Sequence, residues 1–117
     1  IQETADTLRV GMPGVEADAV ARQIVTSAGY PEYQYATGHQ LGRTAHDGGT
    51  LLGPAWERYG KSPEMFVEAG QVYTLEPGLV VPGIGYIGIE EDILMTASGA
   101  VPLSHFQKEL SLICCFE

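Results

Sequence analysis

The sequence predicts an α+β fold in which two helices come first and several strands joined by tight turns follow. In the first 28 residues, apolar side chains recur at the spacing of one helical stripe. Beyond residue 30 the spacing becomes the alternation typical of strands, and Pro-Gly pairs interrupt it at 77–78 and 82–83. This order favours a mostly antiparallel sheet.

The helical part divides into two segments. Residues 3–10 predict the end of a first helix with Ala5 and Leu8 on its apolar side, and the glycines and proline of 11–14 stop it. A second helix is predicted from about Glu16 to Ala28 because its apolar residues share one side. Gly29 follows its last turn, where glycine commonly ends a helix.

The remaining residues predict strands and loops. Tyr33, Tyr35 and Thr37 alternate as in a short strand. The segment 38–53 is rich in glycine, and 54–68 is predicted to be a loop with aromatic side chains. Further strands are predicted at 71–76, 79–81, 86–96 and 101–103.

Composition narrows the partners and the location. The 117 residues are 44% hydrophobic and carry a formal charge of -9, which disfavours nucleic acid and anionic membranes as partners. No apolar run has the roughly 20 residues that a membrane helix needs, and no signal-peptide pattern opens the chain. Cys114 and Cys115 are adjacent, and adjacent cysteines rarely pair with each other. We therefore expect a cytoplasmic protein.

Acidic residues stand in segments that are predicted to be buried strands. Glu76 follows an apolar strand, and three acids at 90–92 lie between two apolar triplets. A carboxylate buried in a strand costs several kcal/mol unless it is paired or holds a metal ion. None of the six basic residues is close in sequence to 90–92. A metal site is therefore favoured, while a salt bridge or a solvated edge strand remains open.

Two histidines strengthen the metal hypothesis. His39 and His46 lie in the glycine-rich segment, where backbone can approach a bound group closely. A lone histidine is more often structural than a ligand. One histidine with two glutamates, however, suits Mn²⁺, Co²⁺ or Zn²⁺ better than a thiolate site would.

Three motifs occur in a recognisable order. They are the run Gly-His-x-x-Gly-x-x-x-His at 38–46, Tyr-Thr-Leu-Glu-Pro-Gly at 73–78, and Ile-Glu-Glu-Asp-Ile-Leu-Met-Thr at 89–96. Together they resemble the pita-bread metallopeptidases, which include methionine aminopeptidase, aminopeptidase P and prolidase. The resemblance implies that residues 1–117 are the carboxyl-terminal part of such a catalytic domain, with a mostly antiparallel, curved sheet and helices packed on one face.

The resemblance also implies roles for individual residues. His39, Glu76 and Glu90 would be ligands of two divalent metal ions (Mn, Co or Zn). Glu76 would also be the catalytic base, and His46 would be a catalytic, substrate-contacting residue at the scissile carbonyl. The choice of Glu90 over Glu91 comes from the resemblance, since strand alternation does not distinguish them.

The expected site is incomplete. Two aspartate ligands of the family come from an earlier strand pair, whereas Asp6 and Asp18 both fall in predicted helices. We therefore expect the upstream half of the domain to be absent, and the chain alone to be inactive and to bind metal poorly. The implied partners are a peptide substrate, that upstream part, and a second copy in a homodimer.

Specificity is the least determined property. Proline-directed members usually carry a histidine at the position of Tyr35 and an arginine at that of Gly88. The motif His-Asp-Gly-Gly at 46–49 nevertheless resembles the prolidase branch, so an exopeptidase acting at Xaa-Pro bonds is expected. Tyr35, Trp56, Tyr59 and Phe66 are candidate substrate-pocket residues, although ordinary loop packing would explain the aromatic loop residues at least as well.

Three alternatives remain. The chain could belong to a relative that hydrolyses a non-peptide substrate such as creatine or an organophosphate, which a substrate panel would reveal. It could belong to a binding protein that kept the fold and lost the site. In the third alternative, it is an α+β domain whose histidines and carboxylates are simply solvated.

Overall fold

The computed structural model describes residues 1–109 and 111–113. Cys114 and Cys115, and the expectation attached to them, lie outside this part. Within it, neither helix has the length and apolarity needed to cross a lipid bilayer. The elements are α1 (Gln2–Thr7), α2 (Gly14–Ser27), β1 (Gly38–Leu41), β2 (Leu51–Leu52), β3 (Val72–Leu75), β4 (Gly78–Val81), β5 (Gly85–Gly88), β6 (Glu91–Thr96) and β7 (Gly99–Pro102), with 3₁₀ turns at Glu57–Tyr59 and Ser62–Glu64.

All strand pairs are antiparallel. A five-stranded sheet has the order β2-β1-β3-β6-β7, and β4 and β5 form a separate two-stranded sheet. The central pairing joins β3 to β6, with Tyr73 opposite Ile93 and Leu75 opposite Glu91. The α+β class and the mostly antiparallel sheet are therefore confirmed.

The core lies between the helices and one face of the sheet. In β6, buried and half-buried residues alternate, which is the period-2 pattern of a strand with one covered face. Burying a side chain such as Leu8 or Ile93 contributes roughly 1.5–3 kcal/mol, and both are fully inaccessible. The core residues are Ala5, Leu8, Ala17, Leu52, Val67, Tyr73, Leu75, Ile93 and Met95.

The strand predicted at 33–37 is wrong. Its backbone groups bond largely to side chains, and only the carbonyl oxygen of Thr37 accepts a backbone amide, that of Glu76 after β3. Arg22 donates to the carbonyl oxygens of Tyr33 and Tyr35, and the Thr37 amide donates to Asp18. The strand begins only at Gly38, where a Cβ atom would lie 1.9 Å from the carbonyl oxygen of Thr74. Glycine at this position thus allows β1 to approach β3.

The single strand predicted at 86–96 is also wrong, because the chain divides it into β5 and β6. β5 folds back onto β4, with Gly88 opposite Gly78, whereas β6 runs between β3 and β7. Ile89 and Glu90 lie between the two strands. The short β2, which the sequence did not predict, pairs with β1 and places Leu51 opposite His39.

Candidate active site

His39 lies on β1 with its imidazole orientation fixed. Its Nδ1 atom is 3.0 Å from the carbonyl oxygen of Gln40. A carbonyl oxygen only accepts hydrogen bonds, so Nδ1 carries the proton and donates it. This tautomer leaves the lone pair of Nε2 available for a cation, which is the usual arrangement of metal-binding histidines.

Glu76 follows β3 and faces that nitrogen. Its Oε1 atom is 3.2 Å from His39 Nε2. Two electron-rich atoms at this distance require a positive charge, either a proton on the imidazole or a metal ion held by both. Ligand atoms that are each about 2.1 Å from one ion lie roughly 3 Å apart. The donor pair therefore fits a divalent ion, and an imidazolium–carboxylate pair is the other arrangement that it fits.

Thr74 connects the two side chains. Its hydroxyl accepts the backbone N–H of His39 at 3.0 Å and donates to Glu76 Oε1 at 3.0 Å. Only 2% of Thr74 is exposed, so these bonds have little competition from water. Sequence reasoning did not single out Thr74. The signal was its position two residues before Glu76, on the same side of an extended segment.

Glu90 and Glu91 lie in different surroundings. Glu90 is exposed and lines a cavity of about 370 Å³ together with Glu76 and Tyr86. Glu91 is buried and accepts hydrogen bonds from the Gln107 amide at 2.9 Å and the Ser104 hydroxyl at 2.7 Å. These bonds hold the pKa of the Glu91 carboxyl below its usual value. The buried acid of this segment is therefore satisfied without a metal ion, and burial does not argue for Glu90 as a ligand.

Asp6 and Asp18, the two aspartates that precede His39 in this chain, take no part in the site, as expected. Asp18 is buried in an ion pair with Arg22, whose Nε atom is 2.7 Å from Asp18 Oδ2. Asp6 is exposed and accepts a bond from Gln2. In residues 1–109 and 111–113, no three His, Cys, Asp or Glu side chains are grouped closely enough to hold one ion. His39 and Glu76 thus form a pair and not a closed metal site.

The imidazole ring of His46 lies against that of His39. The two imidazole rings have centroids 4.3 Å apart and are tilted by 32°. Both line a cavity of about 260 Å³ whose wall also includes Arg58 and Tyr59. His46 is exposed, so its ring is accessible to a ligand that enters this cavity.

The aromatic candidates lie in different surroundings. Trp56 stacks on Tyr59 with centroids 5.8 Å apart and lines a neighbouring cavity with Arg58. Tyr35 is 63% exposed and meets Tyr86 edge to face at 6.3 Å. Contact of Tyr35 or Trp56 with a substrate stays a prediction.

Tyr86 was not predicted as a site residue. Burial raises the pKa of its phenol, and the charge of Glu76 raises it further. Tyr86 therefore stays protonated at neutral pH beside the carboxylates. Its ring crosses β4 at Gly78, where a Cβ atom would meet the phenol oxygen at 1.9 Å. The Pro-Gly break at 77–78 thus provides the space that this ring occupies.

The chain is similar to known proteins in sequence and in fold. The model of metallopeptidase family M24 matches residues 1–97. An uncharacterized peptidase of Staphylococcus haemolyticus is 35% identical over 104 residues, which are 88% of this chain and 27% of that protein. The chain therefore spans roughly a quarter of the length of this relative.

Solved structures agree with the sequence relatives. An Xaa-Pro dipeptidase from Bacillus anthracis superposes with a TM-score of 0.79 at 34% identity, covering 93% of this chain and 29% of that one. A dipeptidase from Pyrococcus horikoshii gives 0.78 at 32% identity, with the same coverage. A methionine aminopeptidase from Rickettsia prowazekii, at 0.65 and 17% identity over 86% of this chain and 46% of its own, shares the fold. The fold is part of the pita-bread architecture.

Proposed function

Because the chain belongs to metallopeptidase family M24, we propose that the complete protein is a metal-dependent exopeptidase that cleaves Xaa-Pro bonds. The observation that carries the proposal is the 3.2 Å contact between His39 Nε2 and Glu76 Oε1, with the imidazole tautomer fixed by Gln40. The similarity to an Xaa-Pro dipeptidase supports the substrate class.

Three residues of this chain would hold the metal ions. His39 would contribute Nε2, and Glu76 and Glu90 would contribute carboxylate oxygens from the walls of one cavity. Two divalent ions bound there would acidify water to a nucleophile at neutral pH and polarise the scissile carbonyl. Oxygen and imidazole ligands suit Mn²⁺, Co²⁺ or Zn²⁺.

The chain's own residues would handle the proton and the substrate. Glu76 would take the proton of the attacking water, because Thr74 bonds to its carboxylate and its side chain, which lines the cavity, is 35% exposed. His46 would donate a hydrogen bond to the carbonyl oxygen as negative charge develops on it. Its place beside His39 in one cavity supports this role.

The remaining ligands would come from outside this chain. We propose that an upstream part of the same protein supplies two aspartates. The chain spans 29% of the solved dipeptidase. Within the described residues, the fold brings together no more than a pair of metal donors. We expect the 117-residue chain alone to bind metal poorly and to be inactive. A homodimer and a cytoplasmic location also remain predictions.

Hydrolysis of an Xaa-Pro dipeptide by the complete protein tests the proposal. With Mn²⁺ present we expect turnover that a chelator abolishes and that added metal restores. Glu76→Gln should lower kcat by about 100-fold or more, because a positioned base typically contributes that much. Glu16→Gln, on the first turn of α2 and away from both cavities, should leave kcat unchanged.

Two results would contradict the proposal in different ways. If the complete protein cleaves no Xaa-Pro peptide with Mn²⁺, Co²⁺ or Zn²⁺, the assigned activity is wrong. If the isolated 117-residue chain cleaves such peptides at the full rate, the requirement for an upstream part is wrong.

A further inference from the structure

The cavity that Glu76 and Glu90 line has an aromatic wall that the proposed chemistry does not use. Tyr86 supplies this wall, and Gly88 and Ile89 complete the lining. The cavity holds about 370 Å³, which lies within the 300–1,000 Å³ typical of sites for small ligands. A space of this size beside two proposed metal ligands suits the part of a substrate that adjoins the scissile bond.

Strand register places Tyr86 and two glycines on one face of the β4–β5 hairpin. Tyr86 lies two residues before Gly88 on β5, and Gly88 is opposite Gly78 on β4. Residues two apart in a strand point to the same face of a sheet, and a glycine presents no side chain there. The hairpin therefore has a bare patch next to Tyr86.

The ring of Tyr86 fills this patch. A Cβ atom at Gly78 would lie 1.9 Å from the phenol oxygen, and a Cβ atom at Gly88 would lie 3.2 Å from a carbon of the ring. Neither glycine has a positive φ, so each provides space for the ring and not an unusual backbone conformation. The two glycines thus allow the phenol to lie against the hairpin at the edge of the cavity.

Tyr35 supports the ring of Tyr86 from a second direction. The two rings meet edge to face, with centroids 6.3 Å apart and planes inclined by 81°. Such an aromatic pair contributes about 0.5–1.5 kcal/mol beyond the burial of its area. Tyr86 is nevertheless 52% exposed, so a ligand in the cavity can reach a ring that its neighbours hold in place.

The hydroxyl of Tyr86 is a free hydrogen-bond donor. Burial and, after it, the charges of Glu76 and Tyr35 raise the pKa of the phenol, and no described residue forms a hydrogen bond with it. A phenol keeps its proton at neutral pH, whereas ionised carboxylates such as Glu76 and Glu90 only accept hydrogen bonds. Among the described residues that line this cavity, Tyr86 is therefore the sole side-chain donor.

We infer that Tyr86 selects the substrate by donating a hydrogen bond to the carbonyl oxygen of the residue that follows the scissile bond. The inference rests on the proposed peptidase function, in which that residue is proline, and it names the side chain that recognises the residue. The donor is neutral, and none of the described residues lining this cavity is a Lys or Arg. The subsite therefore accepts the neutral carbonyl of a peptide that continues beyond the proline.

The test compares an Xaa-Pro amide with the corresponding Xaa-pyrrolidide, using the complete, Mn²⁺-loaded protein. Both compounds have the same scissile bond to a five-membered ring, but the pyrrolidide lacks the carbonyl group on that ring. Wild type should prefer the amide. Tyr86→Phe keeps the ring and removes the donor, so kcat/KM for the amide should fall by about 3- to 10-fold, the effect of one hydrogen bond. The same variant should cleave the pyrrolidide as wild type does.

Two controls accompany this comparison. Tyr30→Phe changes a phenol that lines a different cavity, so both compounds should be cleaved as by wild type. Tyr86→Phe should keep the metal content of wild type, because its ring still fits over Gly78 and Gly88 and the metal-binding carboxylates are unchanged. An equal loss on amide and pyrrolidide in Tyr86→Phe, no loss on either compound, or a loss of metal overturns the inference.

Calorimetric binding separates this inference from the proposed function. If wild type cleaves neither compound, the peptidase proposal fails, and binding of the amide and of the pyrrolidide is then compared directly. Tighter binding of the amide that disappears in Tyr86→Phe supports the subsite at Tyr86. Equal binding of the two compounds to wild type overturns it.

Discussion

A single buried hydroxyl organises the candidate site at the scale of residues. Thr74 accepts the His39 amide and donates to Glu76, so one side chain joins the two strands that carry the facing donors. Water cannot easily replace it, because Thr74 is 2% exposed. Glu76 is thereby held where its Oε1 atom meets His39 Nε2.

Replacing Thr74 should weaken metal binding. Thr74→Val keeps the volume and removes the hydroxyl, so the Glu76 carboxylate loses its donor. We expect the affinity of the complete protein for Mn²⁺ to fall by about 10-fold, the low end of the range for lost outer-shell partners. Thr74→Ser keeps the hydroxyl and should bind metal almost as wild type does. Calorimetric titration with Mn²⁺ measures the affinities of both variants. Equal affinities of Thr74→Val and Thr74→Ser would show that the hydroxyl does not position Glu76.

Sequence reasoning found some residues of the site and missed others for physical reasons. Motif order identified His39 and Glu76, which the fold brings into contact. The cost of burying acids pointed to 90–92, but the acid that is buried there, Glu91, bonds to Ser104 and Gln107. Those partners lie 13 and 16 residues away, so local pattern could not reveal them.

At the scale of elements, α2 holds the segment that leads into β1. Asp18 accepts the amide and the hydroxyl of Thr37, and Arg22 donates to two carbonyl oxygens of 33–35. Thr37 in turn accepts the Glu76 amide at 2.6 Å. The helix therefore fixes the backbone on both sides of the candidate site.

This network should make stability sensitive to alkaline pH. The Thr37 hydroxyl donates to Asp18, so the Tyr33 phenol donates to Thr37. Burial raises the pKa of Tyr33 to about 12. Below pH 10 both the folded and the unfolded chain keep this proton. As pH rises from 10 to 12, the unfolded chain loses it first, so the free energy of unfolding falls, by at most about 3 kcal/mol for this group.

Chemical denaturation of the chain between pH 8 and 12 measures this effect. Tyr33→Phe should be less stable at pH 8, because the bond to Thr37 is lost, and should show a shallower decline above pH 10. Tyr30→Phe, at a partly exposed position, should keep the slope of wild type. An unchanged slope in Tyr33→Phe would mean that this phenol does not limit alkaline stability.

The sequence predicted some elements of the fold correctly and others wrongly. Helical periodicity correctly indicated α1 and α2, and alternation correctly indicated β3 and β7 within a few residues. The alternation at 33–37 was misleading, because the side chains of Tyr33 and Thr37 contact Arg22 and Asp18 of α2. Long-range partners, which local pattern does not encode, decided this segment and also the division of 86–96.

At the scale of the whole molecule, the side of the site that carries Glu90 is open and apolar. Ile87 and Ile89 are 50% and 41% exposed, and both line a cavity of about 330 Å³ between α2 and the β4–β5 hairpin. Apolar surface beside an incomplete set of ligands supports the proposal that an upstream part of the protein completes the site there.

The metal content of the complete protein tests the central claim most directly. After dialysis against Mn²⁺ and removal of free metal, we expect two ions per chain in wild type and one or fewer in Glu90→Gln. Glu91→Gln, the adjacent substitution, should keep two ions and unfold at a lower temperature, because it disturbs the bonds to Ser104 and Gln107. Two ions in Glu90→Gln, or a loss of metal in Glu91→Gln alone, would contradict the assignment.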